Sequence, residues 1–181
     1  MNTVKINSTA SVGFLVGMGA WSISFITLIG GYLFYRLRIG VWLADYISQA
    51  IFIKAFMNTG ILLISSWLLH QFLRKRKVSL LILGFLSGGL FLKAQWGLWI
   101  LFLQKGLTFT SSMAGSFLYL LTGFHALHVL IGLFVFFPLG LKISQPAMDN
   151  SRGSRFLFAL KFWDLLLLFW LVLLILIFVL K

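Results

Sequence analysis

The chain is 181 residues long, 61% of them hydrophobic, with 20 Phe and 7 Trp, and its mean hydropathy of +1.05 is far above that of a soluble domain, so it reads as a polytopic membrane protein. The formal charge of +12, from 15 Lys and Arg against 3 Asp and Glu, would suit a nucleic-acid surface. The cations gather at the ends of apolar segments instead, which excludes nucleic acid as a partner; the absence of cysteine excludes disulfides, thiolate metal sites and thiol nucleophiles.

Crossing about 30 Å of hydrocarbon at 1.5 Å per residue takes roughly 20 apolar positions. Five segments qualify, over residues 13–35, 48–69, 79–103, 112–138 and 156–180. The predicted fold is all-α, one membrane domain over residues 1–181 with five transmembrane helices. The polar stretch Met1 to Asn7 lacks the pattern of a cleaved leader, so the first apolar helix is expected to stay in the mature protein.

In the first segment Gly13, Gly17, Ala20, Ser24, Thr27 and Gly31 recur at spacings of three and four, on one face of a helix. Small residues let backbones approach closely, so the stripe reads either as packing within the chain or as docking on a partner subunit. The second segment ends at His70, just before Arg74, Lys75, Arg76 and Lys77, a run that anchors topology. On the third, Gly84 and Gly88 share a face with Gln95, and Lys93 falls opposite. Lys54 and Lys93 lie deeper than the other cations, and each must snorkel to the outer leaflet or be buried against a neighbouring subunit.

With the N-terminus cytoplasmic, that side collects Lys5, Arg74, Lys75, Arg76, Lys77, Lys142, Arg152, Arg155 and the snorkelling Lys161. The other side has Arg36, Arg38, Lys105 and Lys181, and nine cations against four predict an N-in, C-out orientation. Cations with few acids to pair with are expected to bind phospholipid headgroups, through Arg74, Lys75, Arg76 and Lys77 inside and Arg36 and Arg38 outside.

The fourth segment carries His125 and His128 at i, i+3 within an apolar run. An imidazole away from water needs a partner, a water or a ligand. Two His about 60° apart on one helix cannot both be axial ligands of one haem, which must be approached from opposite sides. A carboxylate-bridged metal site would want Glu-x-x-His, and the chain has no glutamate. No catalytic, metal or cofactor-binding residue is therefore assigned. A transporter would show broken helices or a repeat between halves, and neither is evident.

The run Thr122-Gly123-Phe124-His125-Ala126-Leu127-His128-Val129 resembles the Thr-Gly-x-His-Gly-Leu-His-Val signature of subunit III of haem-copper respiratory oxidases, and the likeness extends over roughly 30 residues. Phe162-Trp163-Asp164 in the last segment is similar to that family's Trp-His-Phe-x-Asp-x-x-Trp. Lys161 stands at its His and Leu167 at its second Trp. Five helices resemble the shorter bacterial members, which lack the family's first two. If Gly13-Phe14 begins the first shared helix, Trp21 occupies an acid's place, and Leu98 falls where a glutamate would follow the third helix's Gln95.

The resemblance implies an accessory subunit without redox cofactors in the inner membrane of a bacterium. It implies haem and copper in partner subunits, bound phospholipid, and a role in keeping the catalytic subunit I, cytochrome c or quinol oxidase, from inactivating during turnover. Within the related families the other reading is the accessory subunit of a nitric oxide reductase; outside them, a small membrane haem or quinone anchor, or a transporter. One structural expectation comes from depth. Counting inward from Arg155 and Pro138 puts Asp164 roughly 10 to 14 Å deep and His128 about 15 Å deep, so the two are expected to pair, with Lys161 or a water as the alternative partner of Asp164.

Overall fold

The computed structural model describes residues 8–39, 43–143 and 150–179, with side chains placed for most of these. The helices are α1 (Ser8–Ile39), α2 (Gln49–Lys75), α3 (Val78–Gln104), α4 (Met113–Ile143) and α5 (Asn150–Leu174), and a π-turn, Ile175–Val179, continues α5. All five are long and apolar enough to cross a membrane. They overrun several of the apolar segments read from sequence: α2 continues through His70 to Lys75, and α4 through Pro138 to Ile143. A backbone leaving the hydrocarbon keeps its hydrogen bonds more cheaply by staying helical into the polar flank.

Helices α2, α3, α4 and α5 form a ring in which each packs on the next and α5 returns to α2. α2 and α3 make an antiparallel hairpin whose turn places Arg76 in the left-handed region, φ 55°. The α3–α4 connection turns at Gly106, φ 80°, where a side chain would be strained. The ring closes tightly around Trp163 of α5, which is fully buried. A Cβ at Gly88 of α3 would stand 3.1 Å from its ring, and one at Gly132 of α4 3.0 Å, so three helices meet there only because two of them lack side chains.

α1 lies outside the ring. It lays Phe14, Trp21, Phe25 and Tyr32 against α4 and α5, with Phe14 stacked on Phe158 at 4.8 Å and Phe25 on Phe169 at 4.7 Å. Only 11% of its apolar span is buried within the chain, against 28% for α3. The small-residue stripe does not form an internal interface. Gly13, Gly17, Ala20, Ser24 and Thr27 are exposed, and no neighbour comes within 4 Å of a Cβ built at Gly13 or Gly17. Only Gly31, at the stripe's far end, touches the bundle, through Phe117. Bulky aromatics fill the α4–α5 groove better than glycines do, so α1 turns its aromatic face inward. Gly84, Gly88 and Gln95, which share a face of α3, are buried, and Lys93 on the opposite face is exposed.

Candidate functional site

A layer of polar side chains crosses the middle of the ring. Asn58 donates through Nδ2 to Gln95 Oε1 at 3.2 Å, joining α2 to α3. Thr59 Oγ1 accepts from Trp170 Nε1 at 2.9 Å, joining α2 to α5, and donates to Ala55 O. Trp99 Nε1 donates to Thr122 Oγ1 at 3.0 Å, joining α3 to α4. Asn58, Thr59, Gln95 and Thr122 are all buried. Side-chain bonds of this kind hold helices together where lipid offers no hydrophobic drive.

His125 lies at the same level, fully buried among Trp170, Phe91 and Phe25, with ring centroids 5.1, 5.8 and 6.3 Å away. Neither of its nitrogens has a protein hydrogen-bond partner, and neither does Asn58 Oδ1. Each histidine of the α4 pair is expected to need a partner, a water or a ligand, and the chain itself supplies a partner to one of them. His128 has one: its Nδ1 donates to Phe124 O at 2.7 Å, and its ring packs on Phe124 and Trp21. His125 is enclosed by aromatic rings instead.

The expected pairing of Asp164 with His128 does not form. Asp164 Oδ1 accepts from Ser66 Oγ at 3.0 Å, and Oδ2 stands 3.4 Å from His70 Nε2. Depth fixed a level but not an azimuth. Phe162 and Phe169 of α5 face Trp21 on α1, Trp163 faces α3 and α4, and Asp164, one residue further round, faces α2; His128 faces α1. Lys161 is exposed and makes no ion pair with Asp164.

His70 and Asp164 make a second contact between α2 and α5. His70 Nδ1 lies 2.9 Å from Ser66 O, and a carbonyl only accepts, so Nδ1 carries a hydrogen. Nε2 faces the Asp164 carboxylate across the α2–α5 seam. Both side chains are nearly half exposed, 46% and 45%. The contact could have been found from Ser66 and His70, which share a face of α2 at i, i+4 and lie close to the level of Asp164.

At the far end of α5 the π-turn leaves the carbonyl of Leu176 to accept from Arg36 at 2.7 Å and from Tyr32 at 3.0 Å. Arg36, expected at a lipid headgroup, is thus engaged inside the chain. Arg38 lies over the ring of Phe34 at 5.2 Å and is exposed, as are Arg74, Lys75 and Lys77, while Arg76 is partly buried. Among the described residues no three His, Asp or Glu side chains converge on a possible metal position.

Geometry of this kind defines a five-helix membrane protein built as a four-helix ring around a polar layer, with one peripheral helix. The chain belongs to the cytochrome c oxidase subunit III family, whose family model matches residues 49–181, the whole of the ring and not α1. It is 29% identical over 85 residues to a cytochrome c oxidase subunit 3 of Corynebacterium diphtheriae, covering 47% of this chain and 42% of that protein. To a cytochrome c oxidase subunit 3 of Patiria pectinifera it is 30% identical over 132 residues, covering 67% of this chain and 48% of that protein. The chain spans less than half the length of either relative.

Proposed function

We propose that this chain is an accessory subunit III of a bacterial haem-copper terminal oxidase. It packs against the catalytic subunit, holds phospholipid at its basic boundaries and contributes no redox cofactor of its own. The observation that carries the reading is the family match over all four helices of the ring.

The disposition of the histidines supports a cofactor-free role. His125 is walled in by three aromatic residues, His128 turns to α1 with Nδ1 already engaged, and His70 is paired with Asp164 on another seam. No two of them approach a common centre from opposite sides, as a bis-histidine haem requires. The family's chemistry, electron transfer from cytochrome c or quinol to oxygen, then belongs to partner subunits that carry haem and copper. A ring held by interhelical polar bonds is suited to bracing a neighbour.

Nine cations against four favour the N-in, C-out orientation, which puts Arg74, Lys75 and Lys77 at the cytoplasmic boundary. Exposed cations there attract anionic headgroups. Purifying the tagged chain from its own membranes in mild detergent tests the reading. A haem-copper catalytic subunit in constant ratio, a haem spectrum unaltered by His125→Ala or His128→Ala, and co-purified phospholipid are expected. Haem lost with either substitution, or a complex without a haem-copper subunit, would overturn it.

A further inference from the structure

Lys93 occupies a position in α3 that lipid alone does not satisfy. It is 15 residues from Val78 and 11 from Gln104, which is about 22 Å from one end of the helix and about 16 Å from the other. The helix is about 40 Å long against about 30 Å of hydrocarbon, so with α3 centred Lys93 lies about 11 Å inside the nearer boundary. An extended lysine does not reach that far. Side chains on a helix also lean toward its N-terminus, so Lys93 leans away from its nearer end.

Lys54 shows the contrasting case. It is exposed too, but it is five residues from Gln49 at the start of α2, about 8 Å from the end, and its side chain leans toward that end. Lys54 can snorkel; Lys93 cannot. Among the described residues no carboxylate pairs with Lys93: Asp164 is held by Ser66 and His70, and Asp45 lies outside the long helices, in the turn before α2.

The surface around Lys93 is shaped for a helix. Gly89 and Gly97 lie one turn to either side on the same face, and no atom comes within 4 Å of a Cβ built at either. Leu86, Trp96 and Ile100 flank them, 59%, 63% and 41% exposed. A backbone could approach closely at both glycines, with the ammonium between them, in a surface dry enough for an ion pair to be strong.

We propose that the Gly89–Lys93–Gly97 face of α3 is the docking surface for a transmembrane helix of another subunit, one carrying an Asp or Glu at the depth of Lys93. The docking rests on reading the chain as an oxidase subunit only for the identity of the protein that owns that helix. A second copy of this chain does not fit. Trp170 packs on Phe91, so the level of Lys93 lies two residues beyond that contact and Asp164 six residues before it. Along the membrane normal the two are about 12 Å apart in parallel copies.

The test uses the intact complex from native membranes, purified through a tag on this chain. A photoreactive amino acid at position 96 should cross-link to a membrane-spanning segment of a partner, and the linked peptide should contain an Asp or Glu. Lys93→Glu should lower the co-purified partner about tenfold, and exchanging the identified carboxylate for Lys should restore it. Lys93→Arg should retain the partner, and Gly97→Leu, which leaves the charge alone, should lower it.

A position-96 probe that reacts only with lipid or with a second copy while the complex is intact would overturn the proposal. So would wild-type recovery of the partner with Lys93→Glu. A cross-link to an acid-bearing helix of a protein other than an oxidase subunit would uphold the docking surface and refute the proposed function.

Discussion

Thr59→Val removes one oxygen from the centre of the ring and almost nothing else. Valine keeps the shape and β-branching of threonine, so the packing of α2 on α5 is preserved. What is lost is the acceptor for Trp170 Nε1, 2.9 Å away on a tryptophan only 1% exposed. The bond that the Thr59 hydroxyl donates to Ala55 O also goes, but that carbonyl keeps its place in the helix. A buried donor left unsatisfied costs about 1–3 kcal/mol in a water-soluble protein. Between transmembrane helices such bonds average about 0.6 kcal/mol and reach about 1.7, because separated helices also find partners. The enclosed site argues for the upper part of the membrane range, about 1.5 kcal/mol. Reversible unfolding of the purified chain in mixed micelles, followed by tryptophan fluorescence and helical circular dichroism, measures it. Trp170→Phe and the double variant complete a cycle whose coupling should be about 1 kcal/mol or more. A coupling near zero would refute the claim that the polar layer holds α2 to α5.

Further substitutions discriminate among the contacts. Gly132→Leu should destabilise the bundle by about 1–3 kcal/mol, because the new side chain must displace Trp163 from between three helices. Gly17→Leu should leave the unfolding of the isolated chain unchanged, since nothing lies within 4 Å of the added carbon; equal effects from the two would contradict the placement of α1. Asp164→Asn keeps an acceptor for Ser66 but removes the charge facing His70. It should weaken the α2–α5 seam by no more than about 1 kcal/mol, given the exposure of the pair, and His70→Gln in that background should add little. Arg36→Met with Tyr32→Phe strips the Leu176 carbonyl of both side-chain donors. Proteolysis or hydrogen exchange at the Arg36 end of α1 should then quicken, with the Phe14 end unaffected.

The sequence by itself determined that five helices cross a membrane, because span length and apolar content are local properties set by the thickness of hydrocarbon. It also placed Gly84, Gly88 and Gln95 on one face of α3 and Lys93 on the opposite one, since a helix repeats about every 3.6 residues, but not which of the two faces the bundle. Other faces were not legible. In lipid both sides of a helix are apolar, so periodicity does not separate inside from outside as it does in water. The stripe from Gly13 to Gly31 read as an interface, within the chain or with a partner, whereas within the chain α1 buries its aromatic face. Counting residues gave Asp164 and His128 a common depth, yet depth is one coordinate of two. The rotation of α5, fixed by Trp163 wedged at Gly88 and Gly132 and by Trp170 bonded to Thr59, turned Asp164 toward Ser66 and His70. That rotation is a property of packed pairs of helices, and only the tertiary structure decided it.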